Sequence, residues 1–240
     1  MQKALSRMKA AVSEWLTKEG WLGDAEFYTV EQWQRRNEEF LIDSLLILVI
    51  DGSTLHTMLN FGGDHEEFDD LVFSFGFYYE LGNHWNMGFY PIDGYDFTPQ
   101  TGDYSSKLRD PRWQEKAVRV KKLAGNCCQD CGKNGALEAH HCYYAAMRQG
   151  YQPWEYPLSA FRALCRTCHE TRAQVEIRMR SYMATLTQTE MECLREGLGH
   201  IFAFYTEEAV LSFLKELGPH DRHREKAMSV LKGGVREDYL

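Results

Sequence analysis

The chain has no long apolar run. Its longest, "LLILVI" at residues 45–50, falls far short of the roughly 20 residues a bilayer-spanning helix needs, so no membrane partner is expected. The opening stretch "MQKALSRMKAAVSEWLTKEG" has neither a continuous apolar segment nor a small-residue cleavage site, and no secretory leader is read there. The expectation is a reducing, cytoplasmic setting, in which the 7 cysteines serve as metal ligands or free thiols rather than disulfides. No internal repeat and no low-complexity tract is present, and 44% apolar content over 240 residues suits one large globular domain or two small ones.

Basic residues are scarce at first and then concentrated. Residues 1–104 carry 6 Lys+Arg against 18 Asp+Glu, a net of −12. Residues 105–180 carry 14 against 7, a net of +7, and residues 181–240 carry 7 against 10, a net of −3, which together give −8. An acidic protein of this kind can still neutralise phosphates through a local basic segment. Lys107, Arg109, Arg112, Arg119, Lys121, Lys122, Arg148, Arg162, Arg166 and Arg172 make up most of that segment.

These blocks suggest an α+β organisation with boundaries at 104/105 and 180/181. In the first block a helix is expected over about Lys3–Lys18, with Leu5, Met8, Val12, Trp15 and Leu16 inward and Gly20 as its stop. Thr29 with Gln32 reads as a capping box. "SLLILVIDGSTLHTML" reads as a β-hairpin around Asp51-Gly52. "DHEEFDDLVFSFGFYYELG" reads as a helix capped by Asp64, with Glu67 at the box position, ending at Gly82. About 91–106 reads as a linker. A helix is then expected after Asp110-Pro111, closing at Gly125, and helices again almost to the end, with starts at Thr187, Thr206 and Asp221. His56, His65 and His84 have no partner at ligand spacing. The role of residues 1–104 is not legible; recruitment of a protein partner is the expectation.

Chemistry concentrates in the basic block. Cys128-x-x-Cys131 and Cys165-x-x-Cys168 are two knuckles whose four thiolates suit a structural zinc ion. Cys127 could replace Cys128, but only Cys128 leaves two intervening residues. Cys142 and Cys193 have no partner at useful spacing. Between the knuckles lies "LEAHH", and His169 follows the last cysteine. Adjacent strand residues point to opposite faces, so one of His140 and His141 can share a metal with His169 while the other faces a different reactant.

The set "KLRDPRWQEKAVRV", "CQDCG", "LEAHH", "PWEYPLSAFRALC" and "CRTCHE", from about Ser105 to Gln174, resembles the HNH endonuclease family in the zinc-knuckle variety of the ββα-metal fold. The resemblance implies a DNA-cleaving hydrolase in which His140 and His169 bind a catalytic Mg, Mn or Zn ion. It implies that His141 is the general base and that cleavage leaves a 5′ phosphate and a 3′ hydroxyl. Glu138, on the strand face of His140, could orient that ligand. A setting in bacterial or phage defence follows by family analogy alone. The sequence departs from the pattern twice. The family's asparagine before the third cysteine is replaced by Ser159-Ala160, with Ser159, Trp154 or Tyr156 as candidate substitutes, and Ala173 stands where some members carry a further histidine. The alternative is a zinc-stapled DNA- or protein-binding module without catalysis.

Overall fold

The computed structural model describes residues 1–50, 54–144, 150–218 and 220–236. The fold is mixed α+β with small antiparallel sheets, and the chain divides into two compact units, Met1–Glu170 and Thr171–Leu240.

In the first unit, α1 (Gln2–Lys18) places Leu5, Met8, Val12, Trp15 and Leu16 inward, as the helical spacing predicts, and the chain leaves it through Gly20 at φ +77. Strand β1 (Glu26–Tyr28) leads to the short helix α2 (Val30–Gln34), which opens with the Thr29/Gln32 capping box. Strand β2 (Leu46–Val49) then pairs with β1 on one side and β4 (Asn86–Pro91) on the other. β3 (Phe77–Asn83) completes a four-stranded antiparallel sheet of order β1-β2-β4-β3.

Two local expectations are overturned. The segment after β2 is not the second arm of a hairpin but helix α3 (Thr54–Phe61); Asp51-Gly52, the expected turn, lies outside the described residues. The real hairpin is β3–β4: β3 falls in what reads as the end of a helix, and β4 in the stretch just before the expected linker. Helix α4 (Glu66–Ser74) stops at Gly76, not Gly82. Gly76 sits at φ +86, and a Cβ there would run into the Tyr95 ring, so the backbone can turn only with glycine. At its start, Asp64 accepts from the Glu66 N–H at 3.1 Å, while Glu67 accepts instead from the Ser159 N–H.

Residues 105–170 do not form a separate body. After the short helix α5 (Tyr104–Lys107), helix α6 (Pro111–Leu123) begins with Asp110 as N-cap and Pro111 at its first position. Its Trp113, Ala117 and Val120 join the core made by α1, α4 and the sheet, as do Tyr151, Trp154, Tyr156 and Phe161. Polar links cross the expected 104/105 boundary. Arg7 donates two hydrogen bonds to Glu155 at 2.6 and 3.0 Å, and the Tyr151 hydroxyl donates to the Arg7 carbonyl at 3.2 Å. Lys116, buried on α6, pairs with buried Asp70 on α4 and donates to the Ser74 hydroxyl. A second sheet, β5 (Leu137–His141) antiparallel to β6 (Phe161–Cys165), runs into helix α7 (Arg166–Met183).

The second unit is helical. α8 (Gln188–Phe204) opens with the Thr187/Glu190 capping box, α9 (Glu207–Glu216) is capped by Thr206, and α10 (Asp221–Lys232) packs against α9 through buried Ala209, Val210, Ala227 and Leu231. No described helix is long and apolar enough to cross a membrane.

Candidate metal centre and its histidines

The first knuckle is a tight turn. The Gly132 N–H donates to the Cys128 carbonyl at 2.7 Å, and Gly132 takes φ +71. Gln129 ties the turn to β6: its N–H donates to the Ala163 carbonyl at 2.9 Å, and its side-chain oxygen accepts from the Ala163 N–H at 2.7 Å. Cys165 ends β6 and Cys168 lies in the first turn of α7, so the strand-to-helix junction supplies the second knuckle. The ligand atoms of Cys128, Cys131, Cys165 and Cys168 all lie within 4.8 Å of one another, the one such group of three or more among the described residues.

These four thiols can hold a metal ion. Four sulfurs at about 2.3 Å from a tetrahedral zinc would stand about 3.8 Å apart, and Cys131 Sγ and Cys165 Sγ are 3.9 Å apart. Hydrogen bonding from the backbone at Cys165, then at Cys131 and Asp130, draws the Cys128 thiol down to about 6. Hydrogen bonds with Cys165 and Cys131 push Cys168 up to about 12. The four thiols therefore titrate as a coupled group, in which one ionises readily and the last resists. Cys127 lies outside the group, with its thiol on the Asn134 side-chain oxygen at 2.8 Å. Cys142 and Cys193 also lie outside it.

Strand alternation separates the two adjacent histidines. Glu138 and His140 share one face of β5. On that face the His140 ring meets the His169 ring edge to face, centroids 4.8 Å apart, and His169 Nδ1 lies 2.5 Å from Glu138 Oε2. His140 is buried, His169 half-buried and Glu138 exposed. Strand and helix therefore present two imidazoles and one carboxylate together. These three do not by themselves reach the close spacing of the cysteine group.

His141 points the other way, into an aromatic cage. Its ring stacks on Trp113 at 4.8 Å with 13° between planes, and Phe161, Tyr144 and Tyr156 complete the walls at 4.6, 5.2 and 5.3 Å. Its Nε2 is 2.9 Å from the Pro153 carbonyl, an acceptor, so Nε2 carries the proton and Nδ1 the lone pair. The Tyr104 hydroxyl stands 3.4 Å from Nδ1. The residue is only 2% exposed, and burial pushes the imidazole down to about 4. No family model, curated protein or solved structure matches the chain.

The candidate substitutes for the missing asparagine are placed unequally. Ser159 faces Glu67 through its N–H. Trp154 lies under the Arg112 guanidinium at 4.2 Å, and Tyr156 meets the edge of His141. Two backbone carbonyls hold the segment around His141: Pro153 on the ring, and Ala160 on the Cys142 N–H at 2.8 Å. Main-chain groups of this kind leave no trace in residue type, so sequence reading could not find them. Trp113 and Tyr104 were also missed. Their only sequence signal is an aromatic near a helix start, which core packing explains equally well.

Several of the expected phosphate-binding cations are engaged internally. Arg112 is bidentate on Asp110, and Arg119 contacts Asp70 at 3.3 Å. Arg162 pairs with Asp130, and Arg166 with Glu170. Lys107, Arg109, Lys121 and Lys122 enter none of the ion pairs found among the described residues. Arg148 lies outside the described residues.

Proposed function

We propose that the protein is a metal-dependent DNA endonuclease of the HNH type. One observation carries the reading: His140, His169 and Glu138 meet on the strand and helix that the four cysteines join. Cys128, Cys131, Cys165 and Cys168 would hold zinc as a structural staple. His140 and His169 would hold a hard divalent ion, Mg, Mn or Zn, with Glu138 fixing the orientation of the His169 ring. Bound there, such an ion supplies Lewis acidity to a phosphodiester and charge stabilisation to the departing oxygen.

The chain's own groups do the rest. His141 is neutral near pH 7, and the Pro153 carbonyl holds its proton on Nε2, so Nδ1 is the atom that takes a proton from an attacking water. The Tyr104 hydroxyl must give way for water to reach Nδ1, and α5 is only one turn long. Lys107, Arg109, Lys121 and Lys122 are the side chains left to neutralise phosphates without reading sequence. The acidic first hundred residues would turn away from the duplex and face a protein partner.

A second reading is favoured by one feature. The imidazole assigned as base is 2% exposed and walled by aromatics, as befits a structural group in a zinc-stapled binding module. Plasmid cleavage with Mg²⁺ or Mn²⁺ separates the two. The nuclease reading expects wild type to cut, and His140→Ala and His141→Ala each to lose at least about 100-fold in rate. Equal, salt-sensitive DNA binding by all three proteins with no cutting would establish the binding module instead.

A further inference from the structure

In the second unit, helix α8 lies largely uncovered by the described residues. None of the 17 residues of α8 is buried. Its large apolar side chains nevertheless follow a 3-4 spacing: Met191, Leu194 and Leu198, continued by half-buried Ile201. On α7, Val175, Met179 and Tyr182 repeat at the same spacing and are 52%, 57% and 58% exposed. Alternating 3-4 spacing is the seam by which helices pack side by side. Among the described residues these two seams stay uncovered.

We propose that these seams are the interface of a homodimer, in which α7 of one copy lies along α8 of the other. Charge selects this pairing over like with like. α7 carries Arg166, Arg172, Arg178 and Arg180 against Glu170 and Glu176, a net of +2. α8 carries Glu190, Glu192 and Glu196 against Arg195, a net of −2. A two-fold axis makes each contact twice, so a dozen half-exposed side chains come together. That is on the order of 1,000 Å² of apolar surface, the scale at which a specific interface becomes stable. α8 also holds Gly197 and Gly199, one on each side of Leu198. A Cβ on either meets open space, so nothing within the chain calls for glycine there. Each is a poor helix former in a helix interior. Close approach of a second backbone accounts for them.

Sedimentation equilibrium on the full chain tests the proposal, with circular dichroism as the control for folding. Wild type is expected to be a dimer at micromolar concentration. Leu194→Glu with Leu198→Glu should give a monomer of unchanged helicity, because neither side chain is buried in the chain. Reversing Arg172 and Arg178 to Glu should weaken the dimer by about tenfold, and adding Glu192→Arg and Glu196→Arg should restore it. A monomeric wild type overturns the proposal, as does a dimer indifferent to the Leu194 and Leu198 changes. Failure of the second charge reversal to rescue the first overturns the α7–α8 pairing. Nuclease activity enters none of these readouts.

Discussion

His141 is where a single residue departs furthest from its chemical default. A free imidazole titrates near 6.5, whereas burial against Trp113 and Phe161 brings this one down to about 4. Between those two values the unfolded chain binds a proton that the folded chain does not. Stability is therefore complete above about pH 6.5 and falls as pH drops toward 4, by roughly 3 kcal/mol over that window. Urea unfolding of wild type and His141→Phe at a series of pH values checks this. The variant, whose ring suits the cage, should lose the dependence, and an equally steep acid limb in both would show that the proton goes elsewhere. Lys116 poses the complementary case, a cation taken out of water to meet Asp70. Burial lowers its pKa, and pairing with Asp70 opposes that effect. Lys116→Ala leaves the carboxylate buried without the lysine and should cost about 3–5 kcal/mol by denaturant titration, more than Asp70 and Lys116 removed together as Asn and Met. Nothing in the sequence around Lys116 sets it apart from its basic neighbours. Charge patterns in a sequence cannot distinguish a solvated lysine from one that a distant aspartate pulls inside.

At the scale of elements, capping chemistry was legible and turn chemistry was not. Thr29, Asp110, Thr187 and Thr206 each accept the backbone hydrogen bond their helix start requires, because that signal lies within four residues. The hairpin at Asp51-Gly52 was misread because the aliphatic run before it is a true strand, while "TLHTML" satisfies helix and strand patterns alike. Gly76 outranked Gly82 as a stop for a reason 19 residues away, the Tyr95 ring. The cysteine spacing, by contrast, sufficed to bring β5, β6 and α7 together, since two-residue knuckles fix their own turns. β5 and β6 also pack on α6, with Phe161 and Ala163 in the core, whereas the two knuckle turns are held chiefly through the four thiols and Gln129. Purified protein should contain one zinc per chain. A strong chelator or Cys131→Ser should lower the melting temperature and increase amide exchange at β5–β6, while His140→Ala leaves the zinc count at one. A chelated protein that melts unchanged would reduce the four thiols to bystanders.

At the scale of the molecule, the charge blocks suggested three bodies and the structure has two. The acidic first hundred residues and the cysteine-bearing segment close one core, because α1, α4 and α6 each bury an apolar face in it. Composition reports where charge changes along a chain. It does not report which apolar faces need each other, and those faces decide where a domain ends.

The Arg7–Glu155 clasp makes this continuity concrete, joining the first helix to the loop that holds the imidazole at 141. The acidic first hundred residues cannot be exchanged for another domain without reopening the core they share with the cysteine-bearing segment. Residues 1–170 have to be kept, moved or redesigned as one cassette.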